Sequence, residues 1–124
     1  MFTIKFGDEE YDMSKRLRVA YKIQGAHAHK SYQDVFDSIG DMPLDKQVEL
    51  LYYSFKDANP ESAISKNDFL DKFLDNYGLA QLMDMLMDLI EGITYTGMTP
   101  EEAEALKKKQ AQRRQEMENM KSST

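Results

Sequence analysis

Three observations predict a mainly α-helical fold: a small helical domain with an N-terminal β-hairpin and an extended charged C-terminal helix or tail. Apolar residues alternate with polar ones only at the start, from Phe2, Ile4 and Phe6 to Tyr11 and Met13. From Ser14 onward they recur every three or four residues, the period of a helix with one buried face. Beyond Thr99 charge dominates and no wide apolar face can be drawn.

Taken in order, Phe2 to Phe6 alternate, and after Gly7-Asp8-Glu9 the alternation resumes at Tyr11 and Met13, the pattern of a hairpin over residues 2–13. Ser14 caps a first helix with Leu17, Ala20, Tyr21 and Ile23 on its apolar face, and Gly25 terminates it. A loop from Ala26 to Lys30 follows. Ser31 and Asp34 form the start of a helix from Tyr32 to Ile39 that buries Val35, Phe36 and Ile39 and stops at Gly40. Pro43 fits the first turn of the next helix, whose stripe of Leu44, Val48, Leu51, Tyr52 and Phe55 reaches about Lys56. Pro60 ends that helix, and Ser65 with Asp68 opens another that carries Phe69, Leu70, Phe73, Leu74 and Tyr77 and ends at Gly78. The most apolar helix begins at Leu79 and breaks between Gly92 and Gly97. Thr99-Pro100-Glu101-Glu102 is a capping box with proline at the first helical position, so the tail starts as a helix. The organisation is one globular domain over residues 1–98 and a charged helical or disordered tail over 99–124.

Composition narrows the function classes. The chain has 124 residues, 41% hydrophobic and 31% charged, one domain's worth with a well-solvated surface. Seven tyrosines and six phenylalanines need burial, which excludes full disorder. A domain of this size buries only about two thirds of its unfolded surface, leaving little room for a substrate cavity and disfavouring an enzyme. With no cysteine, neither a disulfide scaffold nor a thiolate metal site can form. The start lacks the continuous apolar run of a secretory signal, and no stretch approaches the ~20 residues that span a bilayer. A soluble, intracellular protein with no membrane partner is expected. Between residues 31 and 100, thirteen carboxylates face four lysines, a balance that repels nucleic-acid phosphate and argues against a nucleic-acid partner.

Residues that could carry chemistry are few. Asp57, Asn59, Glu61, Ser65 and Asp68, with Ile64 between them, occupy the ligand spacing of a calcium loop, the basis of an alternative reading as a degenerate EF-hand-like module. Ser62 replaces the turn glycine of such loops, and Asp68 is one methylene shorter than the bidentate glutamate of the last position. His27 and His29 stand two residues apart and could share a metal, but no third ligand is evident. Asp84 and Asp88 share a helical face that reads as the wet side of an amphipathic helix. There is no nucleophile motif and no phosphate-cradling glycine loop, so no catalytic, metal or cofactor residue is assigned.

The helix after Leu79 is different. Leu82, Met83, Met85, Leu86, Met87, Leu89 and Ile90 reach around more than half its circumference, and a period of 3.6 cannot bury Met83, Met85 and Met87 on one side of one small core. These seven residues are the candidate partner-binding set. The partner is a second copy of the chain or another protein, unless neighbouring helices enclose this one entirely.

As a whole the sequence resembles the tail assembly chaperones of long-tailed, siphovirus-type bacteriophages and prophages of Gram-positive hosts. The likeness lies in the start Met1-Phe2-Thr3-Ile4-Lys5-Phe6-Gly7-Asp8-Glu9-Glu10-Tyr11, the helix from Leu44 to Phe55, the acidic segment from Ser65 to Ile93, and the charged tail. The resemblance implies a non-enzymatic protein that holds the tape measure protein and helps recruit tail tube subunits in the bacterial host's cytoplasm, and that is absent from the finished virion. It also implies a longer form made by ribosomal frameshifting near the end of the reading frame.

Overall fold

Residues 2–26 and 31–122 are described by the structure, a computed structural model. The mainly helical architecture with an N-terminal antiparallel hairpin is present as expected. Strands β1 (Thr3–Phe6) and β2 (Glu9–Asp12) pair in the register Ile4 opposite Tyr11 and Phe6 opposite Glu9. Gly7 turns the chain at φ 65°, a conformation that costs glycine little. Period-two alternation places Phe2, Ile4 and Phe6 on the buried face. An isolated two-stranded sheet is marginal and leaves open edges, and here helices close them. The Lys5 amide donates to the Tyr77 hydroxyl at 2.7 Å, and the Gly7 amide to Asn76 Oδ1 at 3.3 Å. On the other strand, Asn59 Nδ2 donates to the Asp12 carbonyl at 2.8 Å.

Six α-helices follow among the described residues: α1 (Leu17–Ala26), α2 (Tyr32–Asp37), α3 (Leu44–Ala58), α4 (Lys66–Asn76), α5 (Leu79–Tyr95) and α6 (Pro100–Ser122), with a short 3₁₀ turn (Ile39–Asp41) after α2. The centre of the domain is α3, against which α1, α4, α5 and β2 all pack. Its Val48, Leu50, Leu51 and Phe55 are fully enclosed. Its Gln47 and Ser54 are buried as well, and both are satisfied. Gln47 Nε2 donates to the Ile39 carbonyl at 2.7 Å, and the Ser54 hydroxyl to the Ser14 carbonyl at 2.6 Å. An aromatic cluster joins hairpin to helices, with Phe69 5.4 Å from Phe6 and 5.2 Å from Phe55 between ring centroids.

Several expectations need correction. Gly25 does not end α1, which continues to Ala26, and Gly40 lies inside the 3₁₀ turn. By contrast α5 ends at Tyr95, inside the break expected between Gly92 and Gly97, and the turn residue is Gly97 at φ 86°. Ser14 does not start α1, which begins three residues later; the Ser14 amide and carbonyl are engaged by Ser54, and its hydroxyl accepts from the Arg16 amide. Leu17 and Tyr21 lie on the outside of α1, because the core takes Val19, Ala20 and Ile23, which point the other way. Leu44 and Leu74 are also exposed. Ser31 and Ser65 cap α2 and α4 as expected, accepting from the Asp34 and Asp68 amides at 3.1 Å each.

The tail is helical from its predicted start, where the Glu102 amide donates to Thr99 Oγ1 at 3.1 Å. It turns back at Gly97 and touches α5. Lys107 Nζ stands 3.6 Å from Glu91 Oε1 and 4.9 Å over the Tyr95 ring. Residues 111–119 are all exposed.

Candidate protein-binding surface

The candidate surface follows from how α5 meets the core. One helix face, Leu82, Leu86, Leu89 and Ile93, is buried in the core. These are positions i, i+4, i+7 and i+11, the spacing of a single apolar stripe. Leu82, Leu86 and Leu89 are therefore corrected from interface candidates to core residues, inaccessible to any partner of the folded chain. Met85 is half-buried against the core. Being two residues from both Met83 and Met87, it projects from the opposite flank of the helix.

The remaining three candidates fall together. Leu79, Met83, Met87 and Ile90 follow at i, i+4, i+8 and i+11 along the flank beside the core stripe. Leu79 is 67% and Met87 64% exposed, while Met83 and Ile90 are half-buried. At 1.5 Å rise per residue this apolar strip is about 16 Å long. Near Ile90 it enters a groove of about 670 Å³ between α2 on one side and α6 on the other. Leu17 and Phe36 supply more apolar lining, and its charged lining is mixed, with Asp37 of α2 and Glu91 of α5 as well as Arg113 and Arg114 of α6.

From the sequence Leu17 and Phe36 read as core residues of their helices and the two arginines as tail charge; three separate elements bring them together. One signal did exist. In α1, Leu17 and Tyr21 cannot share a face with Val19 and Ile23, so the helix carries two apolar stripes and one must remain outside.

The other chemically suggestive residues are engaged in the fold. Across the Asp57–Asp68 segment the side chains diverge instead of converging on one point. Asp57 pairs with Lys22 at 3.1 Å, with its side chain 4% exposed, while Asn59 donates to the Asp12 and Phe55 carbonyls and Ser65 caps α4. Burial alone would raise the Asp57 carboxyl, but Ser14, Lys22 and Arg18 outweigh it and hold it below the ordinary range. Among the described residues no three histidine, aspartate or glutamate side chains are placed to hold one metal ion; His27 and His29 lie outside the described residues.

A second cluster ties α3 to α4. Glu49 accepts from Tyr53 at 2.8 Å, Lys66 at 3.1 Å and Lys46 at 3.3 Å. Burial pushes the Glu49 carboxyl up, yet these three donors together bring it below its ordinary value. The Tyr53 hydroxyl is pushed far up by burial and by its bond to Glu49. Both groups move away from neutrality, the opposite of what proton transfer near pH 7 requires.

Among the described residues no helix is long and apolar enough to cross a membrane. No family model, curated protein or solved structure matches the chain.

Proposed function

We propose that this chain is a tail assembly chaperone of a long-tailed bacteriophage or prophage, a non-enzymatic protein that binds the tape measure protein and helps recruit tail tube subunits. It acts in the cytoplasm of the bacterial host and is left out of the virion. The observation that carries the proposal on the structural side is the apolar strip Leu79, Met83, Met87 and Ile90, exposed at Leu79 and Met87 and half-buried at the other two. Exposed apolar surface organised in a line is a docking feature more than a stability feature. Methionine suits it, because its unbranched thioether adapts to partners of varied shape. The resemblance of the start, the α3 sequence, the acidic segment and the charged tail to the family supplies the identity of the partner.

A long helical tape measure protein presents apolar ridges that aggregate before the tube covers them. A small acidic domain with a narrow apolar strip can shield such ridges while its net charge of −6 keeps the complex soluble. Co-expression with overlapping fragments of the tape measure protein encoded alongside it tests the reading. Soluble, co-purifying fragments are expected with the intact chain, and Met87→Asp should reduce the soluble fraction severalfold, since burying an unpaired charge at an interface is costly. Fragments equally insoluble with and without the chain would refute it.

A further inference from the structure

Two helices present outward faces of the same spacing and opposite charge. On α1, Leu17 is 66% and Tyr21 78% exposed, and Arg18 stands one residue after Leu17 and three before Tyr21. On α5, half-buried Met83 and exposed Met87 bracket Asp84 in the same way, and all three line one shallow depression. Each set is an apolar pair at i and i+4 with a charge at i+1, so its three side chains share one side of their helix. Helix α1 contains no acidic residue and α5 no basic one. Lys22 is paired with Asp57, Asp88 with Lys15 and Glu91 with Lys107. Arg18 and Asp84 are left without an ion pair among the described residues, although Arg18 also contributes to the field on Asp57. Where Leu17 borders the groove the charges balance, Asp37 and Glu91 against Arg113 and Arg114. The complementarity therefore rests on Arg18 and Asp84.

We infer that the α1 face of one copy of the chain docks on the α5 face of a second copy, with the helices antiparallel, Leu17 and Tyr21 against Met87 and Met83, and Arg18 paired with Asp84. The antiparallel sense follows from helix geometry. Two right-handed helices packed face to face put their i+1 residues on the same side of the contact only when they run in opposite directions. At 1.5 Å rise per residue the two charges then lie about 3 Å apart along the axis, within the reach of an arginine. Because the two faces differ, the contact is head-to-tail, and every copy offers one of each. Four apolar side chains and one exposed ion pair make a small contact, so the association is weak, and the ion pair sets orientation more than strength. This pairing does not depend on the chaperone reading. It adds a condition to it, since a second copy and a tape measure segment cannot hold the α5 strip at once.

Sedimentation velocity of the full chain from about 10 μM to about 1 mM reads the association. The weight-average mass of the native chain should rise with concentration. Tyr21→Asp and Met87→Asp should each weaken association at least about tenfold, because each puts an unpaired charge into the contact. Their melting temperatures should stay unchanged, since both side chains are largely exposed. An equimolar mixture of the two variants should regain pairing and stop at the dimer, because one variant keeps an intact α5 face and the other an intact α1 face. Arg18→Glu should weaken association severalfold, and the double variant Arg18→Glu/Asp84→Arg should recover it.

A native chain that stays monomeric to about 1 mM would overturn the pairing. So would a Tyr21→Asp chain that associates as well as the native one, or a mixture as weak as its separate parts; these are the results an α5-to-α5 contact would give. A monomeric chain that still captures tape measure fragments would remove this contact and leave the proposed function intact. Head-to-tail association without any tape measure capture would do the reverse.

Discussion

Replacing Gly92 by alanine tests how the hairpin and α1 are fastened to α5. In a helix interior the change normally stabilises by about 1 kcal/mol, because alanine loses less backbone freedom on folding. Here Lys15, in the segment between β2 and α1, lies flat across the glycine. An alanine Cβ would stand 2.1 Å from Lys15 Cδ and 2.7 Å from its Cβ and Cγ, against the ~3.5–4.0 Å of an ordinary carbon contact. Two of those atoms are close to the Lys15 backbone, whose carbonyl accepts from Thr96 Oγ1 at 2.8 Å, so the side chain cannot simply swing away. Moving it also loosens the ion pair to Asp88 at 3.2 Å and the stacking of Nζ 4.8 Å over Phe2. These two partly exposed contacts contribute ~0.5–1 kcal/mol each at most. Overpacking adds about 1–3 kcal/mol. The net expectation is a loss of about 1–2 kcal/mol, the opposite sign from helix propensity alone. Urea denaturation followed by far-ultraviolet circular dichroism measures it. Lys15→Gly removes all three clashing atoms, so the double variant with Gly92→Ala should show a coupling energy of about 2–3 kcal/mol, the net loss plus the propensity gain it overcomes. A Gly92→Ala protein as stable as the parent or more so would refute the packing argument.

Further outcomes follow from the same contacts. Phe69→Ala, which removes a fully buried ring from between Phe6, Tyr52 and Phe55, should cost about 3–5 kcal/mol in the same assay. Glu49 and Asp57 have folded-state values below their ordinary 4.5 and 3.8. The unfolded chain therefore binds more protons in that range. The stability they contribute is present above about pH 4.5 and declines as pH falls through the folded-state values; Asp57→Asn should flatten the acid limb of a melting-temperature profile. Ending the chain at residue 99 removes half-buried Ala103 and Leu106 and the Lys107 contacts, so the melting temperature should fall by only about 3–6 °C, corresponding to about 1 kcal/mol. A drop several times larger would show that α6 belongs to the core.

Much of the fold was legible because local chemistry and tertiary packing agree. The hairpin, the serine caps at Ser31 and Ser65, and the α3 stripe of Val48, Leu51 and Phe55 each depend on neighbours within a turn or a strand pair. The failures occurred where tertiary contacts overrode a local signal. Gly25 and Gly40 read as terminators, yet Gly25 lies inside α1 and Gly40 inside the 3₁₀ turn. Gly92 lets Lys15 approach, a role invisible until both are placed. For α5, the total apolar circumference was legible, but its division was not. The identity of the buried face depends on where α3 and α1 sit, and these take Leu82, Leu86 and Leu89 out of the candidate surface. The groove walls come from α2 and α6, dozens of residues apart in sequence, and no periodicity within either helix encodes their meeting.

The central claim is that the exposed flank of α5 binds a protein partner, and the methionines provide the reporters. With ¹³C-methyl-labelled methionine, titration of a tape measure fragment should shift or broaden Met83 and Met87, which line the strip, and leave Met13, buried at 7% exposure under the hairpin, in place. Met85, on the opposite flank, should move less than either. Saturating fragment that leaves Met83 and Met87 unshifted, or that perturbs Met13 and Met85 equally with them, would contradict the account.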